Sequence, residues 1–182
     1  MRKNVRALVT VILLLNTLQL LATTYYVSKT GSDSNTGLSE GQSLGTIAYA
    51  LTKAISGDTI SIGNGTYDCP QLNIPPGISL TSNAKDHTKV ILKPDVNIGT
   101  KVGFLNLSSG LPGTIGKQSI SYITLIGVNG NNRAVCALFV QNRSNVTIHH
   151  CRFENFIDLN DLMWNKSFIV QSTQIPATNK WW

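Results

Sequence analysis

The stretch Ser121–Asn132, SYITLIGVNGNN, decides the reading of the fold, because Ser144–Phe156, SNVTIHHCRFENF, follows it at an offset of 23 with matching chemistry. Ile123 aligns with Val146, Thr124 with Thr147, Leu125 with Ile148 and Val128 with Cys151. A repeat of roughly 20–30 residues made of short strands predicts a solenoid, and specifically a parallel β-helix, in which equivalent side chains of successive coils stack ~4.8 Å apart. Upstream, Ile60 and Ile78 are offset by 18, and Ile78 and Ile123 by 45, read as two coils of about 22. An antiparallel sandwich is the rival, since GNGTY and VNGNN could each close a hairpin. The register of 23 favours the β-helix.

Working outward, short alternating strands recur at 58–63, 77–82, 88–94, 103–108, 121–127, 137–142 and 145–151. Between them lie NGTYDCPQLNIPP, SNAKDH, SSGLPGTIGKQ and NGNNR, rich in turn-forming residues. One helix is expected over 46–56. Leu44, Ile47, Ala48, Leu51, Ala54 and Ile55 recur at helical spacing, Thr46 is its N-cap and Gly57 its stop. Its single apolar stripe has to cover something apolar. Before it, Asp33, Asn35 and Gly37 faintly suggest a calcium loop, but Leu44 stands where an EF-hand needs an acid. This loop is read as a solvated turn whose Asx side chains bond their own backbone.

Only 13% of the 182 residues are charged and 42% are apolar. That mixture suits strands and turns better than amphipathic helices. The formal charge of +6 has its source partly in segment 1–22. There Arg2, Lys3 and Arg6 precede an apolar run, Ala7–Leu15, and a second, Leu18–Leu21, ends at the small residue Ala22. This is the pattern of a secretory signal peptide. A retained membrane anchor is the alternative, although the uninterrupted run is shorter than the ~18 residues of a span. Without those three cations the chain carries 12 Lys+Arg against 9 Asp+Glu, or +3, and no basic cluster with interleaved aromatics. Nucleic acid is therefore set aside. Export to the outside, the cell surface or the periplasm is expected, with no stable membrane insertion after signal cleavage and with a monomeric state. The odd count of cysteines, Cys69, Cys136 and Cys151, leaves one bridge plus a thiol or three buried thiols open.

A resemblance then emerges. TYYVSKTGSDSNTG (24–37), LGTIAYALTKAISGDTISIGNGTY (44–67) and IPPGISLTS (74–82) resemble the N-terminal segment of secreted right-handed parallel β-helix proteins of the pectate-lyase-like superfamily. It covers residues 24–82; residues 120–156 match only as generic coils. One departure is QSLGTI, where the superfamily has Pro-Phe before Thr-Ile, which implies a looser loop at Ser43–Gly45. The resemblance implies that the helix caps the N-terminal mouth of the solenoid, whose open end needs covering. It divides the chain into a signal peptide (1–22), an N-terminal strand, loop and capping helix (23–57), β-helix coils (58–156) and a C-terminal tail (157–182), read as a truncated coil. The alternative for the tail is an aromatic plug formed by Trp164, Trp181 and Trp182.

His149, His150 and Cys151 invite a metal reading, but contiguous residues of an extended chain face opposite ways and zinc ligands come from spaced positions. We read no metal site. Instead Cys151 packs in the core under Val128 and the histidines sit at a solvated corner, where one of them could face a saccharide. The resemblance implies polysaccharide as the partner and a lyase, hydrolase or epimerase as the enzyme class. A lyase needs a cation against a uronate carboxylate and a base for the adjacent proton, sometimes with calcium; a hydrolase needs paired carboxylates. Arg143, His149, Arg152 and Lys166 are the candidate catalytic residues, with Glu154, Asp158 and Asp161 as further charged groups. A non-catalytic carbohydrate-binding or adhesin module is the other reading.

Overall fold

The computed structural model describes residues 21–95, 103–127 and 136–156, together with the backbone of 169–172 and 180–181. Residues 1–20 of the expected signal peptide lie outside the described residues, as do Val128, Asp158, Asp161, Trp164 and Lys166. No described helix is long and apolar enough to cross a membrane.

The chain climbs as a three-sided parallel β-helix, and every strand pairing between described residues is parallel. Strand β1 (Thr24–Val27) leads in. The first coil holds β2 (Thr59–Ile62), β3 (Gly65–Cys69) and β4 (Leu72–Asn73), and the second β5 (Ser79–Ser82), β6 (Val90–Pro94) and β7 (Gly103–Ser108). The third holds β8 (Thr114–Ser121), β9 (Thr124–Ile126) and β10 (Cys136–Gln141), and the fourth β11 (Arg143–His149), β12 (Arg152–Glu154) and β13 (Ile169–Ser172). Strand β14 (Lys180–Trp181) begins another. Stacking makes three sheets: β1-β2-β5-β8-β11-β14, β3-β6-β9-β12 and β4-β7-β10-β13. The expected fold class is thus observed, with the winding that parallel crossovers overwhelmingly adopt being right-handed.

Each sheet sends one apolar column inward. Ile60, Leu80, Ile120 and Ile148 are in register on the first. Tyr67, Leu92, Leu125 and Phe153 are so on the second, and Leu72, Leu105 and Leu138 on the third. Most of these are fully buried. Each buried aliphatic side chain contributes about 1.5–3 kcal/mol, so the columns hold successive coils in register.

That register differs from the one read at an offset of 23. Ile120 pairs with Ile148 and Leu125 with Phe153, an offset of 28. The similar stretches lie on two different sides of the coil, since Thr124 and Leu125 belong to β9 while Thr147 and Ile148 belong to β11. Two core-facing strands share their alternation whichever side they build, and this produced the match. Likewise Leu80 and Ile120 are direct neighbours despite their separation in the chain. The span read as two coils is one coil with long connections. Cys151 lies by Ile123, with Arg152 N donating to Ile123 O at 3.1 Å, while its expected partner Val128 lies outside the described residues. The cysteines are thiols; Cys69 and Cys136 are buried and Cys151 partly so.

Helix α1 (Ile47–Lys53) is N-capped by Thr46, whose Oγ1 accepts from Tyr49 N at 3.1 Å. It buries Ile47 and Ala50 over the mouth beside β1 and β2. It stops at Lys53, short of the expected Ser56. Ala54 is extended, and the buried Asp58 carboxylate takes Ile55 N and Thr23 N, both at 2.8 Å, which turns the chain into β2. The 31–37 loop is not a self-contained turn. Asp33 Oδ1 accepts from Gly45 N and Thr46 N at 2.9 Å, its Oδ2 accepts from Thr46 Oγ1, and Asn35 Nδ2 donates to Ser43 O. The QSLG segment is correspondingly firm, with Leu44 fully buried and bridged to Val27.

Candidate functional site

Where the first sheet turns into the second, the backbone takes a left-handed conformation in three successive coils. Lys85 has φ 53°, Tyr122 φ 57° and His150 φ 53°. For L-residues with a Cβ this costs about 1–2 kcal/mol each, which is why glycine or asparagine is usual there. The same chain places Asn142, Asn145 and Asn155 at other positive-φ positions. Its corners instead carry a lysine, a tyrosine and a histidine.

These three side chains form a ladder. Tyr122 and His150 stack with centroids 4.7 Å apart and planes at 17°, and Lys85 Nζ stands 5.8 Å over the Tyr122 ring. His149 joins edge-on, 5.5 Å from Tyr122. The left-handed turn at His150 also answers the metal argument differently from the sequence. It swings two neighbouring rings together instead of apart, with His149 Nδ1 2.8 Å from His150 Nδ1. One of these nitrogens must carry a proton and the other accept it. Cys151 turns away toward the core, its Sγ donating to Ile120 O and His149 O. Among the described residues no three His, Cys, Asp or Glu side chains gather where they could hold a metal ion.

The ladder is tied to the sheet beneath. Ser121 Oγ donates to Thr81 Oγ1 at 3.0 Å, and Lys85 Nζ donates to the same oxygen at 3.1 Å. Ser119 Oγ lies 3.2 Å from His149 Nε2. Both His149 nitrogens are therefore engaged. Partial burial, then His150, then Lys85 hold its pKa below the usual histidine value, so the ring is neutral at pH 7.

The sequence candidates separate. His149 is at this corner. Arg152 is exposed just past it and forms an ion pair with Glu154. Arg143 is only 1% exposed and points into the solenoid. Its guanidinium donates to Ile74 O (2.6 Å), Ser108 O (2.7 Å), Ser109 Oγ (3.0 Å) and Gln118 Oε1 (3.1 Å). Burial lowers its pKa to about 10, so it stays charged at pH 7. It cannot meet a surface ligand in this position; it joins four coils. Lys85 and Tyr122 were not singled out from sequence, because nothing in SNAKDH or SYIT marks a left-handed residue when glycine is missing from the turn.

No protein-family description and no curated protein matches the chain. Among solved structures, the chain is similar to pectin methylesterase PemA from Erwinia chrysanthemi, with 19% identity and a TM-score of 0.45 over 74% of this chain and 47% of that one. It thus spans about half the length of that enzyme.

Proposed function

We propose that the chain is an exported, polysaccharide-active β-helix protein that engages a saccharide chain along the corner of its first sheet. The observation that carries this reading is the ladder of Lys85, Tyr122 and His150 on three strained corners. Strain held at three successive corners, exposed at Lys85 and His150 and half-buried at Tyr122, by residues other than glycine points to side chains kept for what they contact. With His150 and Lys85 taking up the faces of the Tyr122 ring, the ladder presents ring edges, the Tyr122 hydroxyl, and Lys85 and the histidines as donors to a saccharide.

The engagement of both His149 nitrogens favours binding over proton transfer. Lyase chemistry is the second reading, favoured by a fixed cation, Lys85, beside a neutral imidazole, His149. Among the described residues no three His, Cys, Asp or Glu side chains gather to hold the calcium that some lyases use. The test is calorimetric titration of the protein with acidic and neutral polysaccharides, with and without calcium, while absorbance of unsaturated product is followed. Tyr122→Ala should weaken binding roughly fivefold to tenfold, the effect of losing one aromatic contact. A folded protein that binds none of them, or a Tyr122→Ala variant that binds as well, would refute the reading. Unsaturated product that disappears in His149→Ala would instead establish the lyase.

A further inference from the structure

A second site lies at the capped end of the same sheet. Tyr26, Glu40, Ser43, Ser61 and Asn83 line a hollow of about 200 Å³ between β1, the 28–43 loop and the turn after β5. That is below the roughly 300–1,000 Å³ of a drug-sized pocket, so it takes one ring or a chain end. Its polar groups have a direction. Ser61 Oγ donates to Asn83 Oδ1 at 3.2 Å, and Asn83 Nδ2 donates to Glu40 Oε1 at 2.8 Å. The amide's geometry thus points its donor at the carboxylate and ends the relay on an anion. The Ser28 and Ser43 hydroxyls, 2.6 Å apart, share a hydrogen bond in its lining. Among the described residues that line it there is no Lys, Arg or His.

We propose that this hollow is a subsite for one neutral sugar residue, whose adjacent hydroxyls donate to the Glu40 carboxylate. The chemistry disfavours a uronate here, since its carboxylate would face Glu40 with no cation among the lining residues. Column by column the hollow leads to the corner: Tyr26, Ser61, Thr81, Ser121 and His149 are successive register partners. At ~4.8 Å per strand, about 19 Å separates the two ends. Glu40 stands at one end and two histidines at the other, with Lys85 bonded to Thr81 between them, so a bound chain has a preferred direction.

This inference rests on the saccharide reading, and its test separates the two. The protein is titrated with xylohexaose, cellohexaose and β-1,4-galactohexaose, with hexagalacturonate and a chitosan hexamer as charged controls. Amide shifts are followed at Ser61 and Asn83 and, separately, at Tyr122 and His150. The expected result is that a neutral hexamer moves the Ser61 and Asn83 amides. Glu40→Gln should weaken that response about tenfold, the worth of one hydrogen bond to a charge, with an unchanged melting midpoint. If saccharides move only the corner amides, the subsite is refuted and the corner stands. If nothing moves at either end, both fall. Hexagalacturonate or the cationic chitosan hexamer moving Ser61 and Asn83 more strongly than every neutral hexamer would overturn the assignment to a neutral sugar. Undiminished binding by Glu40→Gln would remove Glu40 from it.

Discussion

Replacing Arg143 with methionine separates a structural arginine from a catalytic one. Among the described residues the guanidinium makes four hydrogen bonds, to Ile74, Ser108, Ser109 and Gln118, in a position only 1% exposed. A hydrogen bond from a charged group is worth about 1.5 kcal/mol at the low end, so the four contribute roughly 6 kcal/mol. Against this stands the burial of the charge. Its pKa falls from 12.5 to about 10, and at 1.36 kcal/mol per unit the charged form is disfavoured by about 3 kcal/mol. Methionine fills the stem's volume and relieves that cost, but leaves the acceptors without their donor. The expected net loss is about 3 kcal/mol, read from urea unfolding at pH 7 with an unchanged denaturant slope. Arg152→Met is the control. Its exposed ion pair with Glu154 should be worth under about 1 kcal/mol. If Arg143→Met is no more damaging than Arg152→Met, the four-coil staple is wrong. If it abolishes saccharide turnover in a protein of undiminished stability, Arg143 has a role at the site that its burial denies.

Three other outcomes are expected. His150→Gly relieves the left-handed corner but loses the ring stack, so stability should stay within about 1 kcal/mol while saccharide binding weakens at least several-fold; a loss above about 2 kcal/mol would remove strain from the argument. Gly31→Ala would drive a Cβ into Leu44 O, in backbone that cannot yield cheaply, and should lower the melting midpoint by roughly 3–10 °C; an unchanged midpoint would show that the cap loop is loose after all. Alkali should destabilise the fold. Burial raises Cys69 and Tyr67 to about 12 and Cys151 to about 11, and acids with raised folded pKa values stabilise below their unfolded pKa and lose that contribution as pH climbs toward the folded one. Arg143, lowered to about 10, acts oppositely above that pH. The decline should therefore be steepest between pH 9 and 10, about 1–2 kcal/mol in urea unfolding, and a flat profile there would contradict it.

The fold was legible wherever alternation or a cap announced it. The strands at 103–108 and 137–142, the Thr46 cap and Ile47 of the helix stripe are visible in the residues themselves, whereas Ala50, which the helix also buries, was not among the stripe positions and Ile55, which was, is exposed. The strands that escaped notice are those whose residues look like turns. GTYDC and TIGKQ, rich in glycine and polar side chains, sit in segments read as separators but form β3 and most of β8. Parallel pairing supplies their hydrogen bonds from neighbouring coils, and local propensity is overridden by what stacks above and below. The register failed for a related reason, since apolar alternation carries no label for the side of the coil it builds. The corner was half visible. His149 was a candidate, but its companions Tyr122 and Lys85 come from one and two coils earlier in the chain, and only the coil register brings them into line with His150.

Strand β11 shows how one segment serves stability and surface together. Arg143 and His149 are six residues apart, so regular alternation would send both to the same face. They face opposite ways because Asn145, at φ 58°, breaks the alternation between them. Val146 and Ile148 return inward, which leaves His149 outside. The coil beneath does the same. Lys117, at φ 45°, lies at the register shift in β8, and Gln118 follows it into the core to meet Arg143. Two stacked irregularities thus bring a buried arginine and its glutamine partner together inside the solenoid while Ser119 and His149 meet on its outer face at 3.2 Å. A β-bulge re-aims side chains at the cost of a ladder bond. Here the re-aiming acts on both faces at once. The two candidates therefore part, Arg143 holding the coils together and His149 standing on the surface they present.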